Sequence, residues 1–251
     1  MNGSIQVNIK DGIAEIQFFH PQSNSLPGEL LKKLAHEIEL AGKDNDIKVI
    51  LLGSKGEKTF CAGASFDELI SIKTIDEGKK FFSGFASVIN AMRKAPKFVI
   101  ARVQGKSVGG GVGLASAADI TFAHESASIK LSELSVGIGP FVVGPAVERK
   151  IGKSAFTELT INATEWRSAL WAKEKGMYAE IFSTIPEMDT AIKALTQKLL
   201  HSNPEAMSLL KKIFWEGTEH WDTLLNERAA MSGKLVLSEY TKNAISKFKN
   251  S

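Results

Sequence analysis

Residues 104–120 read Q-G-K-S-V-G-G-G-V-G-L-A-S-A-A-D-I, and this stretch decides the fold class. It follows the apolar run Phe98–Ala101, which predicts a buried strand. The glycines of residues 105–113 predict a turn, the small residues 114–118 predict a helix, and residues 119–122 predict another strand. A strand, a tight turn, a helix and a further strand in this order indicate an α/β core.

Predicted strands and helices also alternate in the residues before this stretch. Residues 4–19 predict two strands joined at Asp11-Gly12, a dipeptide that favours a type I′ hairpin turn. Gly28–Lys43 has helical spacing of its apolar residues after Pro27. Val49–Leu52 predicts a buried strand, and a long helix is predicted over residues 76–94, ended by Pro96.

The last hundred residues have a different pattern. After Pro145 nearly the whole chain is predicted to be helical, with Pro186 and Pro204 separating the helices. Trp215 and Trp221 are expected to pack in a core or an interface. We find no linker and no repeat, which favours one compact unit.

Composition excludes several classes of protein. The 251 residues include 31 Lys and Arg and 28 Asp and Glu, a net charge of +3, and no basic run exceeds two residues. This balance disfavours nucleic-acid binding through clustered charge. The single cysteine, Cys61, excludes an internal disulfide and fits a reducing compartment. No apolar segment is long enough to span a membrane or to form a signal peptide, so we expect a cytoplasmic protein without membrane contact.

Two nucleotide-binding motifs are incomplete, because each lacks a required glycine. The triplets beginning at Gly105 and Gly152 resemble the end of a phosphate loop, but Ile100 and Val147 stand where that loop requires glycine. The dinucleotide fingerprint fails as well, because Leu114 stands at its third glycine.

Residues 105–109 form a literal G-x-S-x-G between a predicted strand and a predicted helix. This pattern makes Ser107 a candidate nucleophile, with Asp189 and either His201 or His220 completing a triad. The alternative is an ordinary turn serine. No histidine lies at metal-ligand spacing to another histidine or to the cysteine, so no metal site is expected.

Two segments of small residues predict an oxyanion hole. Phe60–Ala64 follows a predicted strand, and its small side chains let a ligand approach the backbone N–H groups. Gly109–Gly111 begins the small-residue helix, where N–H groups are unpaired and the helix dipole is positive. Two such donors that converge on one point stabilise an oxyanion. The alternative for the glycines is close packing of the helix.

Glu133 is the candidate general base. It lies in the apolar stretch 131–134, before the glycine- and proline-containing turn of residues 136–141. A carboxylate that is partly desolvated there has raised basicity, which suits proton abstraction. The alternative is a capping or surface carboxylate.

The motifs together resemble those of the enoyl-CoA hydratase/isomerase (crotonase) superfamily, in the same order and over essentially the full length. They are F-C-A-G-A at 60–64, Q-G-x-x-x-G-G-G at 104–111, A-x-A-A-D-I at 115–120 and S-E-L-x-x-G-I-x-P at 132–140. The resemblance implies a crotonase-like spiral of ββα units over residues 1–185, which binds acyl-CoA and holds the active site. It also implies a helical region, 186–251, that assembles trimers or hexamers.

The resemblance also assigns roles to residues. The backbone N–H groups of Ala64 and Gly110 would hold the thioester oxygen, and Ala62 would meet the CoA adenine, with Gly63 and Gly109 beside them in the CoA site. Glu133 matches the second catalytic carboxylate of the family. No cofactor is implied, because CoA is part of the substrate.

Three departures from the family pattern change the predicted reaction. Gly113 stands where two-glutamate hydratases carry their first glutamate, Ser65 replaces an acid, and residues 140–144 read P-F-V-V-G in place of a glycine-rich stretch. A single-glutamate site resembles the mitochondrial Δ3,Δ2-enoyl-CoA isomerases. One carboxylate suffices to move a proton from C2 to C4, so we predict isomerisation through an enolate.

Four alternatives remain open at this point. A hydratase is possible if Glu68, Asp67 or another acid reaches the site, since water addition needs a second group. A decarboxylase needs the oxyanion hole more than a base. The others are a serine hydrolase using Ser107 and a non-catalytic acyl-CoA binder.

Overall fold

The computed structural model describes residues 3–249. In chain order the elements are β1 Ser4–Lys10, β2 Ile13–Phe19, α1 Gly28–Lys43, β3 Val49–Ser54, β4 Thr59–Cys61, α2 Phe66–Ser71, α3 Ile75–Lys94, β5 Phe98–Val103, β6 Lys106–Val108, α4 Gly110–Ala117, β7 Ile120–His124, β8 Ile129–Lys130, a 3-10 helix Glu133–Val136, α5 Gly144–Ile161, α6 Ala169–Glu174, β9 Glu180–Phe182, α7 Ile185–Leu200, α8 Pro204–Phe214, α9 Trp221–Leu235 and α10 Glu239–Lys249.

The strands form two sheets, and three pairs of consecutive strands each contribute one strand to each sheet. The larger sheet has the order β1-β2-β3-β5-β7-β9, and the smaller has the order β4-β6-β8. Apart from the antiparallel β1–β2 hairpin, neighbouring strands are parallel. The pairs β3–β4, β5–β6 and β7–β8 each place one strand in each sheet before a helical segment. This is the predicted α/β spiral of ββα units, and the fold prediction is confirmed.

The first hairpin and α1 follow their sequence signals closely. Asp11 and Gly12 both have positive φ, +51° and +79°, as a type I′ turn requires. The helix α1 has the bounds predicted from its apolar spacing. Local sequence therefore determines these two elements.

The glycine-rich stretch differs from the prediction in one respect. The turn was expected to extend through Gly113, but α4 already begins at Gly110, and β6 precedes it. A Cβ on Gly110 would collide with the Phe85 ring, and one on Gly111 with the Cys61 carbonyl oxygen. These glycines therefore allow α4 to pack closely on α3 and β4.

The helical C-terminal region folds back on the chain's own core. In the contact between α3 and α9, a Cβ on Gly78 would lie 2.7 Å from the Cα of Gly233. Trp215 and Trp221 are buried, with ring centroids 5.8 Å apart, so their predicted packing role is confirmed. The short strand β9 was not predicted, because three residues carry too little periodicity. The division at residue 185 stays a prediction.

A buried ion pair fixes α8 to the larger sheet. Asp119 accepts hydrogen bonds from the Lys211 ammonium at 2.6 Å, the Trp215 indole at 2.9 Å and the Val99 backbone N–H at 2.7 Å. Both side chains of the pair are nearly inaccessible to solvent. Both carboxylate oxygens of Asp119 therefore accept hydrogen bonds, as a buried charge requires.

Among the helices that residues 3–249 form, none combines the length and the apolarity that crossing a bilayer requires.

Candidate active site

A cavity of about 590 Å³ brings the three predicted segments together. Its wall includes residues 62–64 after β4, Gly109 and Gly110 at the start of α4, and Glu133 at the start of the 3-10 helix. Much of the remaining wall is apolar, with the side chains of Phe81, Phe82, Phe85, Val136, Ile138, Phe141, Val142 and Val143. The residues assigned to the acyl-CoA site, which are Ala62, Gly63, Ala64, Gly109, Gly110 and Glu133, all line this one cavity.

The N–H group of Ala64 is free to bind a ligand. Ala64 forms a parallel bridge with Leu26, in which the Leu26 N–H donates to the Gly63 carbonyl at 2.8 Å. The N–H of Ser65 in turn donates to the Leu26 carbonyl at 3.3 Å. In such a bridge the central residue points its own N–H to the opposite side. The Ala64 donor therefore faces away from Leu26, on the side of the cavity.

The second predicted donor, the N–H of Gly110, lies next to this segment. Gly110 is the first residue of α4, so its N–H has no partner within the helix. A Cβ on Gly63 would lie 3.6 Å from the Gly110 nitrogen and 3.1 Å from the Val108 carbonyl oxygen. Gly63 has φ +89°, which favours glycine. The two segments are thus in contact on the same wall, as an oxyanion hole requires.

The Glu133 carboxylate lies against the same glycines. A Cβ on Gly109 would stand 2.9 Å from its Oε1 atom. Its Oε2 atom is buried and has no hydrogen-bond partner among residues 3–249. Burial raises the pKa of Glu133 to about 7, and a hydrogen bond from its own backbone N–H opposes this rise. An unsatisfied carboxylate with a raised pKa can both accept and return a proton near neutral pH.

The two other acids considered for the site have different positions. Asp67 lines the cavity, and its Oδ2 accepts a hydrogen bond from the Gln22 side chain at 3.0 Å. Glu68 does not line the cavity, and its Oε2 accepts from the Gly28 N–H at 2.9 Å, at the start of α1. The Glu68 carboxylate therefore stabilises the start of α1. Asp67 is the second carboxylate, besides Glu133, that lines the cavity.

The space in front of Gly113 is filled. A Cβ on Gly113 would lie 2.5 Å from Cγ1 of Val143 and 2.8 Å from its Cβ. Val143 belongs to the P-F-V-V-G stretch that departs from the family pattern. The two departures are therefore complementary in size, and no side chain larger than hydrogen fits at residue 113 while Val143 stays in place.

The hydrolase interpretation of Ser107 lacks its partners. Ser107 is completely buried on β6, and the side chain that interacts with its hydroxyl is that of Tyr178, which is itself buried. Asp189 instead pairs with Arg102, and the His201 ring bonds to the Gln197 carbonyl oxygen. His220 is exposed at the start of α9. The structure forms no triad, and the serine prediction is not supported.

The sequence analysis did not predict that some other residues line the cavity. Phe81, Phe82 and Phe85 lie at helical spacing on α3, a pattern that an apolar core face shows equally well. Ser232 reaches the cavity from α9, through a tertiary contact that no local signal marks. Within residues 3–249 no group of three or more metal-ligating side chains is assembled.

Comparison with known proteins connects this geometry to a family. Residues 8–250 match the model of the enoyl-CoA hydratase/isomerase family. A short-chain-enoyl-CoA hydratase of Clostridium acetobutylicum is 29% identical over 95% of this chain and 92% of its own length. The mitochondrial methylglutaconyl-CoA hydratase of Mus musculus is 32% identical over 78% of this chain and 63% of its own length.

A solved structure shows the same fold. The crystal structure of enoyl-CoA hydratase from Bacillus halodurans superposes with a TM-score of 0.90, at 20% identity, over 97% of this chain and 99% of that one. The agreement extends over both the spiral and the C-terminal helices.

Proposed function

Because the chain belongs to the enoyl-CoA hydratase/isomerase family, we propose that this acyl-CoA enzyme converts a 3-enoyl-CoA into the conjugated 2-enoyl-CoA. Glu133 is the single acid/base, and the N–H groups of Ala64 and Gly110 form the oxyanion hole. The observation that carries this proposal is the contact between Gly113 and Val143. Val143 fills the space that the first glutamate of a two-glutamate hydratase would need.

The reaction needs only one carboxylate. Glu133 takes a proton from C2, and the electron pair of that C–H bond forms a C1–C2 double bond while charge moves onto the thioester oxygen. The two N–H donors stabilise this enolate, and loss of one such donor costs about 10²–10³ in rate in comparable sites. Return of the proton to C4 moves the C3–C4 double bond to C2–C3 and restores the carbonyl group.

The apolar wall suggests the class of acyl group. Phe81, Phe82, Phe85 and Phe141 line the cavity, and Lys130 is the one cationic side chain among the described residues of its wall. An uncharged hydrocarbon chain gains free energy against these aromatic rings, whereas a carboxylate packed there would be desolvated. The proposed substrates are therefore acyl chains without a terminal charge.

A hydratase is the second candidate, and two observations favour it. The relatives described above are named hydratases. Asp67 also lines the cavity, with its carboxylate held by Gln22, and could orient a water molecule from the cavity mouth. This candidate requires that Asp67 take part in the chemistry.

Matched substitutions of the two cavity carboxylates separate these candidates. We expect Glu133→Gln to lower kcat on a 3-enoyl-CoA by at least 10³-fold, since the base is lost. Asp67→Asn should leave kcat within about threefold of wild type, as the electrostatic contribution of an exposed group is small. Hydration of a 2-enoyl-CoA by wild type that is lost in both variants would favour the hydratase, and turnover of the 3-enoyl-CoA by Glu133→Gln would remove Glu133 as the base.

We also propose a trimer or hexamer in a reducing, cytoplasmic setting. Leu209, Leu210, Ile213 and Phe214 expose large apolar surface on α8, which supports a contact with a second copy of the chain. The single thiol, Cys61, is buried, and burial raises its pKa to about 12, so it does not favour disulfide chemistry. Light scattering on wild type and on Phe214→Glu tests the assembly.

A further inference from the structure

A threonine on the last helix holds the turn that carries Glu133. Thr241 lies on α10 and is completely buried, and its Oγ1 hydroxyl donates a hydrogen bond to the Gly137 carbonyl at 3.1 Å. Gly137 ends the 3-10 helix that begins at Glu133. A Cβ on Gly137 would lie 2.6 Å from the Thr241 hydroxyl oxygen, so the turn and α10 are in close contact. This contact joins residues that are 104 positions apart in the chain.

The peptide group between Gly137 and Ile138 is held from both sides. Its carbonyl accepts the hydrogen bond from Thr241, and its N–H donates to the Glu133 carbonyl at 3.0 Å. Because a peptide group is planar and trans, a bond that fixes its C=O also fixes the direction of its N–H. The Thr241 hydroxyl therefore orients the group that binds the backbone of Glu133.

The Glu133 side chain depends on this backbone for its position. Its Oε2 atom has no hydrogen-bond partner among residues 3–249, and its carboxylate accepts a bond from its own backbone N–H. The 3-10 helix therefore determines where the carboxylate lies beside Gly109. A reacting group that is misplaced by about 1 Å can cost on the order of 10² in rate.

The Thr241 hydroxyl is itself oriented by a neighbour. The Ser238 hydroxyl accepts the Thr241 N–H at 3.2 Å, which caps the first turn of α10, and it donates to Thr241 Oγ1 at 3.1 Å. Since Thr241 Oγ1 accepts this bond, its own proton is directed at Gly137. One helical turn further on, Ile245 belongs to the same apolar cluster as Ile138. The same face of α10 therefore contacts the turn through a hydrogen bond and through apolar packing.

We propose that Thr241 is a positioning residue for the reaction, which holds Glu133 in place beside Gly109 through the peptide group between Gly137 and Ile138. This inference rests on the proposed function in taking Glu133 as the acid/base. Thr241 does not line the cavity, so its effect on the reaction passes through the turn. Through this contact α10 supports the active site of its own chain.

Three variants separate positioning from general stabilisation. Thr241→Val removes the hydroxyl at nearly unchanged volume, and Thr241→Ser keeps it. The matched control is Thr218→Val, because Thr218 is also buried and its Oγ1 donates to the Trp215 carbonyl at 2.6 Å, away from the cavity wall. Infrared titration of the carboxyl band that wild type shows and Glu133→Gln lacks requires no turnover. Urea denaturation and kinetics on a 3-enoyl-CoA, or on a 2-enoyl-CoA if wild type hydrates it instead, give stability, kcat and KM.

Thr241→Val and Thr218→Val should lower the urea midpoint by similar amounts, since each leaves a buried carbonyl without its donor. We expect only Thr241→Val to lower kcat, by about tenfold or more with KM within about twofold, because the base is displaced while substrate binding is retained. In this variant the pKa of Glu133 should fall below the value of about 7 that burial gives it, since a loosened turn admits water. Thr241→Ser should behave as wild type does.

An unchanged kcat or an unchanged Glu133 titration in Thr241→Val would overturn the proposal. An equal loss of kcat in Thr218→Val would also overturn it, as would a loss in Thr241→Ser as large as that in Thr241→Val. If Thr241→Val does not fold, Ser238→Ala removes the hydroxyl that directs Thr241, and the same comparisons apply with a smaller expected loss.

The infrared titration distinguishes this inference from the proposed reaction. If the Glu133 carboxyl titrates lower in Thr241→Val alone, and hydration of a 2-enoyl-CoA shows the loss of kcat, the positioning role is retained and the isomerase is contradicted. Conversion of a 3-enoyl-CoA that Thr241→Val leaves unaffected would do the reverse.

Discussion

Val143 occupies the space directly in front of Gly113, with its Cγ1 atom 2.5 Å from the position that a Cβ on Gly113 would take. Relative to the family pattern that the sequence resembles, a valine stands in place of a glycine and a glycine in place of a glutamate, and the two residues are complementary in volume. Two carboxylates line the cavity: Glu133, which lies against Gly109, and Asp67, which accepts a hydrogen bond from the Gln22 side chain.

This complementarity predicts a coupled effect of two substitutions. Gly113→Glu alone should destabilise the protein by about 1–3 kcal/mol through overpacking, and Val143→Gly alone should cost a similar amount through a cavity. The double variant should be more stable than the sum of the single effects, because each change makes room for the other. Denaturant titration of the four proteins measures the coupling. Additive effects would show that the two residues do not share this space.

The double variant should also gain a second carboxylate near Glu133. We expect it to add water to a 2-enoyl-CoA at a rate above that of wild type, while Val143→Gly alone does not. Mass spectrometry of the product measures the added water. A double variant that folds but hydrates no faster than Val143→Gly would contradict the assigned position of the missing acid.

The raised pKa of Glu133 predicts how activity depends on pH. Burial raises this pKa to about 7, and the base must be ionised to accept the C2 proton. The value of kcat/KM should therefore rise with pH, reach half of its maximum near pH 7 and level off above it. A profile that is flat between pH 5 and pH 8 would contradict the assignment of Glu133 as the base.

Because burial raises the pKa of Glu133, its ionised form lowers the free energy of unfolding at high pH. A carboxyl whose pKa is raised in the folded state binds protons more tightly there, so its contribution is favourable below the unfolded value of 4.5 and is lost as pH rises through about 7. Glu133→Gln should be more stable than wild type at pH 9, by roughly 3 kcal/mol at most, and close to it at pH 4. Equal differences at both pH values would show that the carboxylate is solvated.

The backbone at Gly63 tests the oxyanion hole. Gly63→Ala introduces a Cβ 3.1 Å from the Val108 carbonyl and 3.6 Å from the Gly110 nitrogen. Gly56 has nearly the same φ, +88° against +89°, but a Cβ there meets no atom within 4 Å. Both variants should lose about 1–2 kcal/mol of stability from the left-handed backbone. We expect Gly63→Ala alone to lower kcat, and equal kcat values would exclude a role for this contact.

The buried pair of Asp119 and Lys211 predicts a large stability effect far from the chemistry. Asp119→Ala leaves the Lys211 ammonium buried without a counter-charge, which costs about 3–5 kcal/mol. Glu239→Ala breaks the exposed pair with Lys242 and should cost less than about 1 kcal/mol. Urea denaturation measures both. An Asp119→Ala effect as small as that of Glu239→Ala would show that the pair does not stabilise the fold.

The sequence predicted those parts of the site that lie within short motifs. Residues 62–64, Gly109, Gly110 and Glu133 all line the cavity, because glycines that permit close approach and an acid between apolar residues leave local traces. The helix α1 and the first hairpin were predicted for the same reason, since their periodicity and turn residues are local.

Features that depend on contacts between residues distant in the chain were not predicted. Val143 contacts Gly113, which lies thirty residues earlier in the chain. The Lys130 ammonium on β8 lies over the ring of Trp166, which follows α5. The close approach of the Phe85 ring to Gly110 at the start of α4 is likewise a contact between distant parts of the chain. Such contacts arise from tertiary packing, which a single sequence does not display.

The most direct test of the account is the product that the wild-type enzyme forms from a 3-enoyl-CoA and, in parallel, from a 2-enoyl-CoA. Ultraviolet absorbance reports conjugation of the thioester, and mass spectrometry reports the gain of water. We predict that the 3-enoyl thioester becomes conjugated with no change in mass, and that the 2-enoyl thioester gains water much more slowly. Rapid hydration of the 2-enoyl thioester without conjugation of the 3-enoyl thioester would contradict the single-carboxylate isomerase.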